Sequence, residues 1–493
     1  MKKHFLSIFI IAMLLFTLTF VLLACNSSSE NSQNNTKTTA TDGQDIPADE
    51  QTDKRKTIYK DNVPAMDLEG YNFRILADPV HFIHAEWDFE EETGDIINDN
   101  IYRRNRIIED RFNILITQIS DSSKIRKSVK SGADEYDIVT TWCDAMRAYL
   151  CEGLGYMFTD YGLYIDLTQP YWDANVTNAL TFGNTVLFPI GAADLPSYDY
   201  THMMLFNKQM VADLALEDPY ELVKSGKWTF DKFDEMAKGI TRDLDGDGEL
   251  TKNDMYGYSA VVKYVLPVFY VSAGVESFSR SDKNIPEFST LLGNEKFASV
   301  IDKIFAITYD NNSWYRDTTT LSNSSDVGDA MFMSNRALFF DTTFKLIENL
   351  RNMDTEFGII PYPKYTLQDN YYTYMDGCNP FIVPLTVENP VNVGAVIEAI
   401  TCESYNMVIP AYYEVSLKTK QARDEESEEM LDLIFSNRVF DLGSTIWCGI
   451  LRDGVFLRMF QKNDRNLTSQ LEKIENKVNK EIQNVLDALN ISE

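Results

Sequence analysis

Short all-apolar runs alternate along this chain with stretches in which apolar residues return every three or four positions. YNFRILA (71–77) reads as a strand. DIINDNIYRRNRIIEDRF (95–112) reads as an amphipathic helix, with Ile97, Ile101, Ile107 and Ile108 toward a core and Arg, Asn and Glu outside. NILITQIS (113–120) is a second strand. SSKIRKSVKSG is a short helix stopped by Gly132, and YDIVTTW (136–142) is a buried third strand. Strand, helix, strand, helix, strand predicts βαβ units on a parallel sheet.

The middle of the chain continues in the same manner. VLFPIGAADL and YTHMMLFNKQMVADLAL read as strand, bend, strand and helix. KWTFDKFDEMAKGIT (227–241) and EKFASVIDKIFAITYDNN (295–312) are helical, NRALFFDTTFKLIENLRN (335–352) turns from strand to helix, and FGIIPYP and NPFIVP are strands. From about Val393 the pattern is largely helical and closes with one charged amphipathic helix over 467–490. No internal repeat is visible.

The N-terminus departs from this pattern. Lys2 and Lys3 precede an apolar run from Phe5 to Ala24 broken only by Ser7, Thr17 and Thr19, as in a secretory leader. Leu22-Leu23-Ala24-Cys25 resembles a bacterial lipobox, which implies a leader over 1–24 and lipidation of Cys25. An uncleaved membrane anchor is the alternative, and both readings tether the protein outside the cytoplasmic membrane. Residues 25–66 are mostly polar and are expected to form a disordered linker. The folded part, from about Asp67, exceeds what one core usually supports, so two domains are expected.

A formal charge of −30 argues against nucleic acid as a partner. Six cysteines are present. With Cys25 lipidated, Cys143, Cys151, Cys378, Cys402 and Cys448 remain at scattered spacings, favouring buried free thiols while leaving one or two bridges open. There is no G-x-S-x-G, no phosphate-binding G-x-x-x-x-G-K and no H-E-x-x-H, and His81 and His84 have no clear third ligand, so no catalytic residue is assigned.

TRDLDGDGELTKNDMY (241–256) carries cation chemistry. Counting Asp243 as position 1, Asp245, Asp247, Thr251 and Asp254 fall at 3, 5, 9 and 12, with Gly248 at the sharp turn, the Glu249 carbonyl at 7 and Leu250 as an apolar plug. This is the spacing of a twelve-residue Ca2+ loop. A helix leads in, a strand leads out and there is no second copy. That pattern favours a structural staple over a sensor.

Taken in order, a series of segments resembles the extracellular solute-binding proteins of ABC importers, the maltose-binding-protein-like carbohydrate group. These are EYDIVTTWCD (135–144), MMLFNKQMV with Phe206 where the family has tyrosine, KWTFDKFDEMAKGIT, MFMSNRALFFDTTF with Asn335 where it has glycine, FGIIPYPKY and STIWCGI. The resemblance covers roughly 67–490. It implies an α/β fold of the two-lobe, type II periplasmic-binding-protein kind, with a ligand cleft between lobe 1 (67–198 and 338–388) and lobe 2 (203–335 and 391–493). It also implies a monomer that captures a mono- or oligosaccharide and delivers it to an ABC permease.

A sugar site needs flat aromatic faces and groups that hydrogen-bond in pairs. Trp142 and Asp144 lie just past a parallel strand, where open α/β sheets place ligands. Asp199 and Tyr200 fall at the first lobe crossing, Asp341 and Phe344 at the return. Asp376 precedes a strand, and Trp447 matches the family's second stacking ring. Trp172 and Trp314 have no such position. The rival readings are a cell-surface glycoside hydrolase, which needs only two carboxylates, and a ligand sensor or adhesin on the same fold.

Overall fold

The computed structural model describes residues 57–78, 83–315, 325–417 and 425–491. The leader, Cys25, the linker as far as Lys56 and His81 lie outside the described residues. Among those described, no helix is long and apolar enough to cross a membrane.

In chain order, β1 (Tyr71–Ala77), β2 (Ile114–Ser120), β3 (Ile138–Thr140), β4 (His202–Asn207), β5 (Tyr256–Ser259), β6 (Ala337–Thr343), β7 (Phe357–Ile360) and β8 (Phe381–Ile382) form two four-stranded sheets. The first runs β8-β3-β1-β2. β1 is parallel to β2 and β3, and β8 is antiparallel on β3. The second runs β7-β4-β6-β5, with β4 antiparallel to both neighbours and β5 parallel to β6. The chain passes to the second sheet between Thr140 and His202 and returns between Ile360 and Phe381.

The helix Ile96–Phe112 shows how local chemistry sets an element. Asp95 accepts from the N–H groups of Ile97 and Asn98 at 3.0 Å, and Asn113 ends the helix at φ 51°. Ile97, Ile101, Ile108 and Phe112 are buried, but Ile107 is 45% exposed because it lies on the flank of that stripe. Arg104 and Asn105, expected outside, are buried instead and donate to the Trp87 carbonyl at 2.7 and 2.9 Å. Burial lowers the Arg104 guanidinium to about 10.

Three expected boundaries shift. Residues 57–66, expected in the linker, are fixed on the fold: Asp61 takes two hydrogen bonds from Arg111 at 2.6 and 2.7 Å, and Val63 is buried. Of the 338–388 span expected in lobe 1, β6 and β7 belong to the second sheet, because their backbone groups pair with β4. The helix Pro390–Glu403, expected in lobe 2, shares a core with Ile97, Ile101 and Phe73 of the first sheet's side through Val396, Ile397 and Ile400. The terminal helix is also divided, into Leu467–Glu472 and Glu475–Ala488.

In the second half an aromatic core packs on one face of the sheet. Phe233 lies 5.3 Å from Phe339, 5.4 Å from Tyr258 and 5.5 Å from Phe269 between ring centroids. Asn335 takes the left-handed conformation (φ 58°) that asparagine tolerates better than most residues, which is why it can stand in a glycine's place. The Asn207 side chain caps the following helix by accepting from Met210 N–H at 2.9 Å.

Candidate functional site

Two residues past the end of β3 stands Trp142, which precedes the helix Cys143–Cys151. β8 lies antiparallel on β3, so the segment before it, Asp376-Gly377-Cys378, arrives beside Trp142. Gly377 is required there: a Cβ at this position would sit 2.1 Å from the indole. The Trp142 ring meets Tyr200 edge to face at 5.0 Å, and Asp376 N–H donates to the Tyr200 carbonyl at 3.0 Å. Both residues are partly buried. Trp142, Tyr200 and Asp376, predicted separately, are thus neighbours.

Asp376 is buried and satisfied by Tyr374 of its own segment and by groups from two other segments. Its Oδ2 accepts from Tyr264 O–H at 2.7 Å, and its Oδ1 accepts from Tyr374 O–H at 2.9 Å and from Arg452 Nη1. Arg452 also donates to both oxygens of half-exposed Asp453, at 2.9 and 3.1 Å. Burial pushes the Asp376 carboxyl up, but the charges of Arg452, Lys263 and His202 and the Tyr264 hydrogen bond outweigh it and hold the group below the usual carboxylate range. Lys263 lies 4.6 Å from the Tyr264 ring centroid, and burial holds its ammonium below the ordinary lysine range.

The polar chain continues inward. His202 packs against Tyr264 at 4.6 Å and Tyr374 at 5.1 Å, and its Nδ1 lies 3.0 Å from Asp341 Oδ1. Asp341 Oδ1 also accepts from Tyr362 O–H at 2.6 Å. With the proton on Nδ1, His202 donates to Asp341. Its buried Nε2 then has no partner among the described residues and is available to a hydroxyl or an ordered water.

The other predicted site residues lie elsewhere. Asp199 is buried and accepts from His84 N–H at 2.6 Å and from Tyr412 O–H, with His84 Nδ1 at 2.9 Å, so it ties three segments together. Phe344 is buried against Tyr412 at 5.1 Å and Phe435 at 4.9 Å. Trp447 is buried against Phe278 at 4.8 Å, with its indole N–H unpartnered among the described residues. Asp144 pairs with Arg147 at 2.9 Å on the helix surface, and Arg147 in turn reaches Glu481 at 3.0 Å. Trp172 donates from Nε1 to Glu398 at 2.8 Å, and Trp314 packs on Phe460 at 4.9 Å.

Sequence reasoning missed Lys263, Tyr264, Tyr374, His202 and Arg452. None lies in a motif. The only available signal was the rarity of histidine, with four in the chain.

In the acidic loop, Asp243, Asp245 and Asp247 converge, with one carboxylate oxygen from each within 4.8 Å of the others. Asp243 accepts from Gly246 and Gly248 N–H at 2.6 and 2.9 Å. The Asp245 carboxyl accepts from the Asp247 N–H, which favours its charged form. Desolvation and the neighbouring Asp247, Asp254 and Asp243 charges outweigh that and raise it. This is a donor set that a hard cation fits. Asp254, expected as the ligand at position 12, stands outside that group of three. It is buried, and its oxygens accept from Leu244 N–H at 2.8 Å and Thr251 N–H at 2.7 Å, clasping the loop. Thr251 Oγ1 accepts from Asn253 N–H at 3.1 Å, Glu249 donates its N–H to Asp247 at 2.8 Å, and Leu250, expected as a plug, is 44% exposed.

No protein-family model matches the sequence, and no curated protein is similar to it. Solved structures are similar in fold. A cyclo/maltodextrin-binding protein complexed with maltotetraose aligns with a TM-score of 0.55 at 13% identity, over 85% of this chain and 98% of its own. M. tuberculosis UspC aligns at 0.55 and 14% identity, over 83% of this chain and all of its own. MalX from Streptococcus pneumoniae, in complex with maltopentaose, aligns at 0.53 and 12%, over 82% and 100%. The fold is that of the type II periplasmic binding proteins, mixed α/β.

Proposed function

We propose that the protein is a lipid-anchored, monomeric solute-binding protein on the outer face of the cell membrane, not an enzyme. In this reading it captures a mono- or oligosaccharide between its lobes and delivers it to an ABC permease. One observation carries the proposal: the partly buried Trp142–Tyr200 ring pair stands directly beside the buried Asp376–Arg452 pair, just past the C-terminal end of β3. Flat rings beside paired polar groups suit the C–H faces and hydroxyls of a sugar. The sugars bound by solved proteins of this fold support the same ligand class.

Thermal shift of the purified protein against a panel from monosaccharides to maltopentaose tests this. A rise in Tm with the sugar recovered intact is the expected result. New reducing ends would mean a hydrolase. A shift with peptides or polyamines and with no sugar would end the carbohydrate reading.

We also assign the 243–254 loop a structural Ca2+, held by Asp243, Asp245 and Asp247, that pins the end of the preceding helix. EDTA should lower Tm, and added Ca2+ should restore it, since an ion that binds only the folded state stabilises it by mass action. Sugar affinity should be nearly unchanged. Loss of sugar binding in a still-folded, EDTA-treated protein would overturn the staple.

A further inference from the structure

We propose that Cys143 and Cys378 join in a disulfide that locks the two walls of the candidate sugar site. The inference rests on the proposed export, because disulfides persist only in oxidising surroundings.

The pairing follows from strand register. β8 lies antiparallel on β3 with Phe381 opposite Thr140 and Ile382 opposite Val139. Carried outward, the same register would set Cys378 opposite Cys143, the first residue of the helix that follows β3. Contacts beyond the strand ends keep to it: Thr140 Oγ1 donates to the Asn379 carbonyl at 2.8 Å, and Cys143 N–H donates to the Cys378 carbonyl at 3.1 Å. In a full antiparallel ladder such a pair would have Cα atoms about 5.5 Å apart. That is inside the span of about 4.4–6.8 Å that a disulfide bridges. Both residues are buried and stand as free thiols in this structure, with the backbone hydrogen bond holding them side by side.

The neighbours give the bridge its consequence. Cys143 follows Trp142, and Cys378 follows Asp376 and Gly377. The bond would tie the stacking ring to the segment carrying the buried carboxylate, across two parts of the chain far apart in sequence.

Formation needs an oxidant, a low-molecular-weight or protein disulfide. One cysteine thiolate attacks it to give a mixed disulfide and release one thiol. The second cysteine thiolate then displaces the other. Overall two Cys–SH and one R–S–S–R become one Cys–S–S–Cys and two R–SH. Burial pushes the Cys378 thiol well above its ordinary range in the folded protein. The attack therefore belongs to folding, before β8 closes on β3.

The full chain, exported and purified, is denatured without reductant, alkylated, digested and mapped by mass spectrometry. A linked Cys143–Cys378 peptide is expected, with Cys151, Cys402 and Cys448 alkylated. Alkylation of both Cys143 and Cys378 would overturn the proposal, as would a Cys143–Cys448 link. Refolding the same chain in a glutathione/glutathione-disulfide buffer makes the result independent of the export route. A Cys143→Ser/Cys378→Ser variant supplies a second readout. Reductant should lower the Tm of the parent by several degrees and leave that of the variant unchanged, whereas equal responses would overturn the bridge. None of these readouts involves sugar, so failure here and failure of the carbohydrate reading are separate results.

Discussion

Replacing Arg452 by alanine is expected to destabilise the fold by about 3–5 kcal/mol, the cost of leaving a buried charge without its partner. The stranded charge is Asp376, buried among Tyr264, Tyr374 and the Tyr200 backbone, with Lys263 as its remaining nearby ammonium. Urea unfolding followed by circular dichroism measures the loss. Asp376→Asn in the Arg452→Ala background should recover part of it, because the amide needs no counter-charge. A loss under 1 kcal/mol would show that solvent or Lys263 already neutralises the carboxylate. Acid titration gives the matching signature. The Asp376 carboxyl is held below its unfolded value near 3.8, so its contribution is present above that pH. The contribution is lost as pH falls through the lower folded value. The Asp376→Asn variant should lack this acid-side loss.

Trp142→Ala is expected to weaken sugar binding about thirtyfold, the equivalent of about 2 kcal/mol for a lost aromatic anchor. The ring rests on Gly377 and meets Tyr200 at its edge, so its orientation is set by packing before any ligand arrives. Trp142→Phe should retain part of the affinity, while Trp447→Phe, on a ring buried against Phe278, should leave it nearly unchanged. Isothermal titration with a sugar found in the panel separates these cases. A Trp142→Ala variant that stays folded and binds as the parent does would remove the platform from the site.

Some of this site was legible in the chain and some was not. Trp142 stood out because an apolar run with polar flanks ends there, and the end of a parallel strand is where a ligand can reach the backbone. Asp376 was legible only as a polar residue before a strand. Trp447, Phe344 and Asp199 were nominated from family position alone. Whether such a side chain faces a cleft or a core depends on neighbours that the local sequence does not contain. Asp254 shows the same limit at short range. Its spacing matches a ligand position, but only the structure shows that it is buried, accepts from Leu244 and Thr251 N–H, and stands outside the convergence of Asp243, Asp245 and Asp247.

Periodicity was enough to predict strand β1, the helix Ile96–Phe112 and the βαβ order. One-sided burial repeats every two residues in a strand and about every 3.6 in a helix, whatever the rest of the fold does. The Asn207 cap and the left-handed Asn335 likewise have local chemical reasons. The division of the later chain between the two sheets did not follow from pattern. β6 and β7 are apolar and would suit either sheet, and hydrogen bonding to β4 decides the matter. The same holds for the meeting of Trp142, Tyr200, Tyr264, Asp376 and Arg452, and for the facing of Cys143 and Cys378. Those contacts exist because β8 returns to lie on β3 in one register. Register between segments this far apart is set by the packing of whole layers rather than by any short stretch of residues.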